Sequence, residues 1–247
     1  PHMSNTYQHQ DRYNQARTHF LANPEMLIEL EKFLTNYIVS IINDHLIEIK
    51  EDYNSASDFY PYWQSCPPQD RGRKPIQDQH PWSEVGEKVL GSKLSRLLDL
   101  KFSVRDSGFP IGSDQRFVLT NKYEDEEISA ATGGITNSVW LFVDIKSAGP
   151  TDNEPFLVMS PNQVSGDGIW KNTPDGVKNS VFRAIGTRTE HEFHVTLPPI
   201  IVFPDGTIVP IVTIALKPKY QVLPPLVVGT RNAGQPLDEI DIACIPN

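Results

Sequence analysis

Two carboxylates and an ammonium are the residues of this sequence most able to do chemistry: Asp114, and the pair Asp144 and Lys146 inside the apolar run Val139-Trp140-Leu141-Phe142-Val143-Asp144-Ile145-Lys146. The run otherwise reads as core strand. Burying an unpartnered carboxylate or ammonium costs several kcal/mol, comparable with the net stability of a whole domain, so such residues have a job. Successive strand residues point to opposite faces, which puts Asp144 and Lys146 on one side, roughly 7 Å apart along the strand. A carboxylate that holds a divalent cation, a second from a neighbouring strand and an ammonium beside them form the arrangement written D…(D/E)-x-K. The chemistry expected is metal-dependent hydrolysis of a phosphodiester.

The elements that must position these residues show in the hydrophobic pattern. Residues up to about Leu21 are polar and give no clear periodicity. Asn23-Pro24 supplies an N-cap and a first-turn proline, after which Leu27, Leu30, Phe33, Leu34, Tyr37, Ile38, Ile41, Ile42, Leu46 and Ile49 recur at threes and fours, the signature of one long amphipathic helix. Pro61, Pro67, Pro68, Pro75 and Pro81 exclude continuous helix or central strand over 61–82, leaving a loop that carries Arg71, Arg73 and Lys74. Ser83 can cap a second helix whose apolar stripe, Leu90, Leu94 and Leu97, also includes Glu87. That glutamate either faces solvent at the helix margin or turns inward to serve a metal site.

Short strands follow, near Phe102 to Val104, Phe117 to Thr120, Val139 to Lys146 and Phe156 to Met159. The acidic run Glu124-Asp125-Glu126-Glu127 reads as a solvated loop tip, and Thr132-Gly133-Gly134 as a turn before the main strand. Pro204-Asp205-Gly206 joins Ile200 to Phe203 with Thr207 to Leu216 as a hairpin, and Pro210 places the second strand at an edge or bulge. A last strand covers Ile240 to Ile245. Helices first and strands later, without βαβ alternation, give α+β order around a mixed central sheet.

At 247 residues the chain can bury one large core, and Pro1-His2 reads as a tag remnant before Met3. No apolar run approaches the ~18 residues of a membrane span, and no secretory signal opens the sequence, so a soluble cytoplasmic protein is expected. Cys66 and Cys244 are too few for a disulfide framework or a cysteine zinc site. A net charge of -9 argues against an indiscriminate polyanion binder, although carboxylates that hold cations reverse the sign of a local cleft. His191 and His194 have a spacing that suits a helix, whereas the segment reads as extended, and no Gly-x-Ser-x-Gly elbow marks a serine hydrolase.

Longer blocks surround these residues. Pro67-Pro68-x-Asp70-Arg71-Gly72, Asp78-Gln79-x-Pro81-Trp82-x-Glu84-Val85-Gly86-Glu87-Lys88, Gly91-Ser92-Lys93-Leu94, Phe142-Val143-Asp144-Ile145-Lys146-Ser147-x-Gly149-Pro150 and Ser160-Pro161-Asn162-Gln163-Val164-Ser165-Gly166 together resemble the BglI-type type II restriction endonucleases, from about Asn23 to Asn247. The resemblance implies a PD-(D/E)xK nuclease of the restriction-endonuclease-like α/β fold, with a central mixed sheet flanked by helices. It implies Asp114 and Asp144 as ligands of one or two Mg²⁺ ions, and Lys146 as the lysine that contacts the attacked phosphate and water. Glu87 becomes an outer partner or a further ligand.

The family acts as a homodimer on interrupted palindromes, leaving 3′ overhangs. Asp152 falls where the family places a base-contacting aspartate, which can accept from cytosine N4 and so points to a GC-rich site. Arg71, Arg73 and Lys74 become phosphate contacts, with Lys171, Lys178, Arg183 and Arg188 as weaker cases. In the family the chain continues past the strand matching Ile240 to Asn247 into a basic base-reading segment, where the present sequence ends. One domain over 1–247 is expected, comprising a polar arm (1–22), a helical part with the proline-rich loop (23–100) and a catalytic, DNA-reading sheet (101–247). A cognate DNA methyltransferase is the expected functional, not physical, partner. Two other readings compete: a non-cutting DNA-binding relative of the same fold, and a repair nuclease that recognises DNA structure.

Overall fold

The computed structural model describes residues 3–55, 82–107, 113–123, 127–146, 157, 159, 163–165, 181–185, 190–194, 197–220 and 237–247. Among them the helices α1 (Met3–Ala22), α2 (Glu25–Asp44), α3 (Leu46–Ser55) and α4 (Trp82–Leu98) precede the strands β1 (Phe102–Asp106) and β2 (Gln115–Asn121). The short helix α5 (Glu127–Ala131) then leads into β3 (Ser138–Ile145), followed by β4 (Val181–Ile185), β5 (Glu190–His194), β6 (Ile200–Val202), β7 (Ile208–Tyr220) and β8 (Leu237–Ile245).

The apolar run singled out in the sequence is β3, and every one of its residues is buried. Its continuous hydrophobicity follows from its place: β2 flanks it antiparallel, β7 flanks it parallel, and both faces are covered. The sheet order is β1-β2-β3-β7-β6, with β8 also on β7. Since β3 and β7 run parallel while the other pairs are antiparallel, the sheet is mixed, as the sequence order implies. The strands β4 and β5 make a separate two-stranded hairpin.

Alternation along the strands divides the core in two. Phe117, Leu119, Val139, Leu141, Val143, Ile145, Val212, Ile214 and Leu216 turn to one face, where Leu30, Leu34, Ile38, Ile49, Leu90, Leu94 and Leu98 of the helices cover them. The opposite face carries Val118, Trp140, Phe142, Val209 and Ile211, closed by Leu197. Trp140 packs edge-on against both Phe142 and Phe203, at 5.4 and 5.3 Å between ring centres. Asp144 belongs to this second face, two residues beyond Phe142.

Several sequence expectations need correction. Residues 3–22 are not an arm but a helix, whose Tyr13, Ala16 and Phe20 form a narrow apolar stripe against Leu27, Ile200 and Ile208. Asn23 does not cap α2: its side chain donates to His19 O at 2.8 Å and closes α1, while Pro24 stands at the N-cap of α2 without a side-chain hydrogen bond. The long helix is interrupted at His45 into α2 and α3; His45 N donates to Ile41 O and Ile49 N to His45 O, so His45 closes one helix and opens the next. Ile49 and Tyr53 stay on the core stripe while α3 packs against α4 and β8.

Glu127 is not part of a solvated tip but opens α5 and pairs with Lys101 at 2.5 Å. The hairpin of β6 and β7 is as expected, with Gly206 at φ 85°, a left-handed conformation that favours glycine. Pro210 lies in the most extensively paired strand. It pairs with Ile200 of β6 just before β7 meets β3 at Ile211, so the missing N–H faces no second strand. Of the strand expected over 156–159, only 157 and 159 are described, neither in a strand.

Leu141 is wholly buried at the centre of β3, paired with Phe117 and Val212. Leu141→Ala should cost about 2–5 kcal/mol, read as a lowered midpoint in urea unfolding. A change within ~0.5 kcal/mol would show that β3 is not the packed centre.

Candidate active site

Strand register assembles the site. Gln115 pairs with Val143, so the next position along each strand sets Asp114 opposite Asp144. Directly opposed residues of an antiparallel pair share a face. At that point β2 ends, and the Asp114 side chain takes over its pairing: Ile145 N donates to Asp114 Oδ2 at 2.6 Å. Asp114 is thereby fixed to the backbone of the Asp-Ile-Lys segment itself. Lys146 follows the last residue of β3, and its N–H donates to Leu216 O of β7 at 2.8 Å, which holds the segment extended past the strand end.

Asp144 is fully buried, and Lys146, half-buried, bends its ammonium back to Asp144 Oδ2 at 2.7 Å. Gln163 Nε2 donates to the other oxygen, Asp144 Oδ1, at 2.5 Å. Burial pushes the Asp144 carboxyl above the usual carboxylate range, against the lowering by Lys146; the neighbouring charge of Asp114 raises it further, and Gln163 lowers it. Desolvation outweighs the lysine because the ammonium is itself partly solvated. The carboxylate is held in a place that disfavours its charge.

One oxygen of each carboxylate is committed, Asp114 Oδ2 to Ile145 and Asp144 Oδ1 to Gln163. Asp144 Oδ2 is buried with no hydrogen bond beyond its ionic contact with Lys146. A small divalent cation fits this donor set, because Mg²⁺ is commonly held by one or two carboxylates with water and phosphate oxygens completing the shell. Among the described residues no group of three His, Cys, Asp or Glu side chains is placed to hold a metal. Among the described residues, two carboxylates are what this site offers.

Glu87 does not complete such a group. It lies one turn before Gly91 on α4, and Gly91 is where the helix meets β2: a Cβ there would come within 2.5 Å of the Gln115 side chain. Glu87 is half-buried and already engaged with another group. Arg71, Arg73, Lys74 and Asp152 lie outside the described residues, as do Lys171, Lys178 and Arg188, and only the backbone of Arg183, in β4, is described. The backbone of His191 and His194 lies in β5, a strand and not a helix.

The sequence reading passed over Gln163 and Lys217. Gln163 was visible only as part of a longer block, since nothing in its spacing ties it to Asp144. Lys217 is buried on β7, two residues past Ala215, which pairs with Asp144; the second ammonium thus shares that face at the same end of the sheet.

This sheet, with two carboxylates and a lysine at the end of its central strands, defines the class of metal-dependent phosphodiesterases with the restriction-endonuclease-like fold. The model of the restriction endonuclease BglI family matches residues 7–247, and the chain belongs to that family, the type II restriction endonucleases of BglI type. It is 42% identical over 237 residues to the type II restriction enzyme BglI of Bacillus subtilis, covering 95% of this chain and 77% of that protein. The crystal structure of BglI bound to its DNA recognition sequence matches with a TM-score of 0.77 at 40% identity, covering 98% of this chain and 80% of that one. Membership of a restriction-endonuclease family implies a divalent metal. No helix among the described residues is long and apolar enough to cross a membrane.

Because the Asp144 carboxyl titrates higher in the fold than in the unfolded chain, the fold binds the proton more tightly, and stability falls as pH rises from the ordinary aspartate value through the raised one. Asp144→Asn should therefore raise the melting temperature of the metal-free protein near neutral pH, by roughly 2–4 °C for each kcal/mol recovered, and should have little effect below about pH 4. Thermal unfolding in EDTA at two pH values checks this; a lowered melting temperature at neutral pH would show that the ion pair with Lys146 outweighs burial.

Proposed function

We propose that this chain is a Mg²⁺-dependent endonuclease that hydrolyses double-stranded DNA at a specific site, with Asp114 and Asp144 as the metal ligands and Lys146 as the lysine that contacts the phosphate. The observation that carries the reading is the buried Asp144 carboxylate, set opposite Asp114, with Oδ2 met by the Lys146 ammonium. One or two Mg²⁺ ions, when bound, supply neutralisation of phosphate charge and activation of water.

The residues divide the remaining work. Asp114, tied to Ile145 N, and Asp144, tied to Gln163, hold their carboxylates at fixed positions, so little reorganisation is needed when the phosphate arrives. Lys146, whose side chain is partly exposed, can turn from Asp144 to a phosphate oxygen. There it holds the attacked group and orients the water for in-line displacement of the 3′ oxygen. Glu87 acts as an outer partner from α4.

Family membership supports the rest of the reading. The target is a GC-rich interrupted palindrome cut with 3′ overhangs, Asp152 accepts from cytosine N4, and Arg71, Arg73 and Lys74 contact phosphates. The chain acts as one restriction-endonuclease-like domain in a cytoplasmic homodimer, whose two-fold symmetry matches that of the target. A cognate methyltransferase protects the host sites.

Digestion of a mapped plasmid tests the reading. In Mg²⁺ the wild-type protein should give discrete fragments whose sequenced ends carry 3′ overhangs, while EDTA or Asp144→Ala should remove cleavage altogether. Intact plasmid with wild type in Mg²⁺, or full activity of Asp144→Ala, would refute it.

A further inference from the structure

The D…D-x-K pattern says which groups bear charge but not what fixes their orientation. A strand aspartate has a broad torsion about its carboxylate, so either oxygen of Asp144 could face the ammonium of Lys146. A long, half-exposed lysine is a poor constraint. Gln163 is a better one, because it is 6% exposed and its amide donates to Asp144 Oδ1.

Gln163 is itself held. Two residues on, Ser165 is buried, bridges to Leu197, and hydrogen-bonds through its hydroxyl to Asn247 Oδ1. Asn247 donates from Nδ2 to Ile211 O at 2.5 Å and from its backbone N to Glu31 Oε1 at 2.9 Å. Glu31 is a buried carboxylate of α2, so this contact satisfies a group that is costly to leave unpaired. One asparagine thus joins α2, β7 and the 163–165 segment.

We propose that Gln163 is a positioning residue for the cleavage reaction, fixing the Asp144 carboxylate so that Oδ2 is presented to the cation, and that Asn247, through Ser165, clamps Gln163 in place. The inference rests on the reading of Asp144 as a metal ligand. Partners of this kind orient ligand side chains and set metal affinity without touching substrate. Gln163 acts through Asp144, and its burial keeps it away from DNA.

Gln163→Met keeps the length of the side chain and removes the donor. Binding of Mn²⁺ in the absence of DNA, followed by electron paramagnetic resonance, should show a dissociation constant raised roughly 10- to 100-fold in Gln163→Met. With DNA at fixed Mg²⁺, kcat should fall while KM stays at the wild-type value. Ser165→Ala, a smaller change with little risk to folding, should move both readouts in the same direction by less. Wild-type Mn²⁺ affinity and kcat in both variants, with affinity lost in Asp144→Ala, would overturn the role of Gln163 while leaving the metal site standing. Wild-type Mn²⁺ affinity in Asp144→Ala would instead overturn the ligand reading itself.

Discussion

A carboxylate, Asp144, stands wholly buried in a strand whose every residue is buried, and the site is arranged around that constraint. Burial pushes the Asp144 carboxyl above the ordinary aspartate range, against the pull of Lys146. Lys146 offsets part of that cost with its ammonium at 2.7 Å, and in the proposed reading a divalent cation would offset the rest. Sites of this kind trade stability for function, since the groups that make the apo fold worse are those that make the loaded site tight.

The sheet supplies the precision. Asp114 and Asp144 come from adjacent strands whose register cannot slip by one residue without turning a full apolar face into solvent. Packing of helices α2, α3 and α4 on one face therefore fixes the separation of two carboxylates on the other. The Asp114 bond to Ile145 N adds a local lock where the strand pairing stops. Chemistry at the end of the sheet is positioned by hydrophobic burial in its middle.

How much of this was legible in the sequence depends on the range of the interaction. The apolar run of β3, the stripe of α2 and the Pro-Asp-Gly turn are written in consecutive residues, and local patterning gives them directly. The pairing of Asp114 with Asp144 was readable as a motif, and the strand context supports it. Helix α1 was missed because three apolar positions, Tyr13, Ala16 and Phe20, give almost no periodic signal in a polar segment; tertiary packing on β6 and β7 accounts for its burial. The interruption at His45 was invisible because the apolar spacing continues across it. Gln163 and Asn247 could not be found by spacing at all, since their partners lie 19 residues away at Asp144 and 216 away at Glu31.

The most direct measurement is a pH titration of the Asp144 side-chain carboxyl carbon by NMR in metal-free protein, repeated with Mg²⁺. The result expected is a midpoint above the ordinary aspartate value without metal and a lowered midpoint with it. An ordinary or lowered midpoint in the metal-free protein, unchanged by Mg²⁺, would contradict the idea that a buried, cation-seeking carboxylate organises this site.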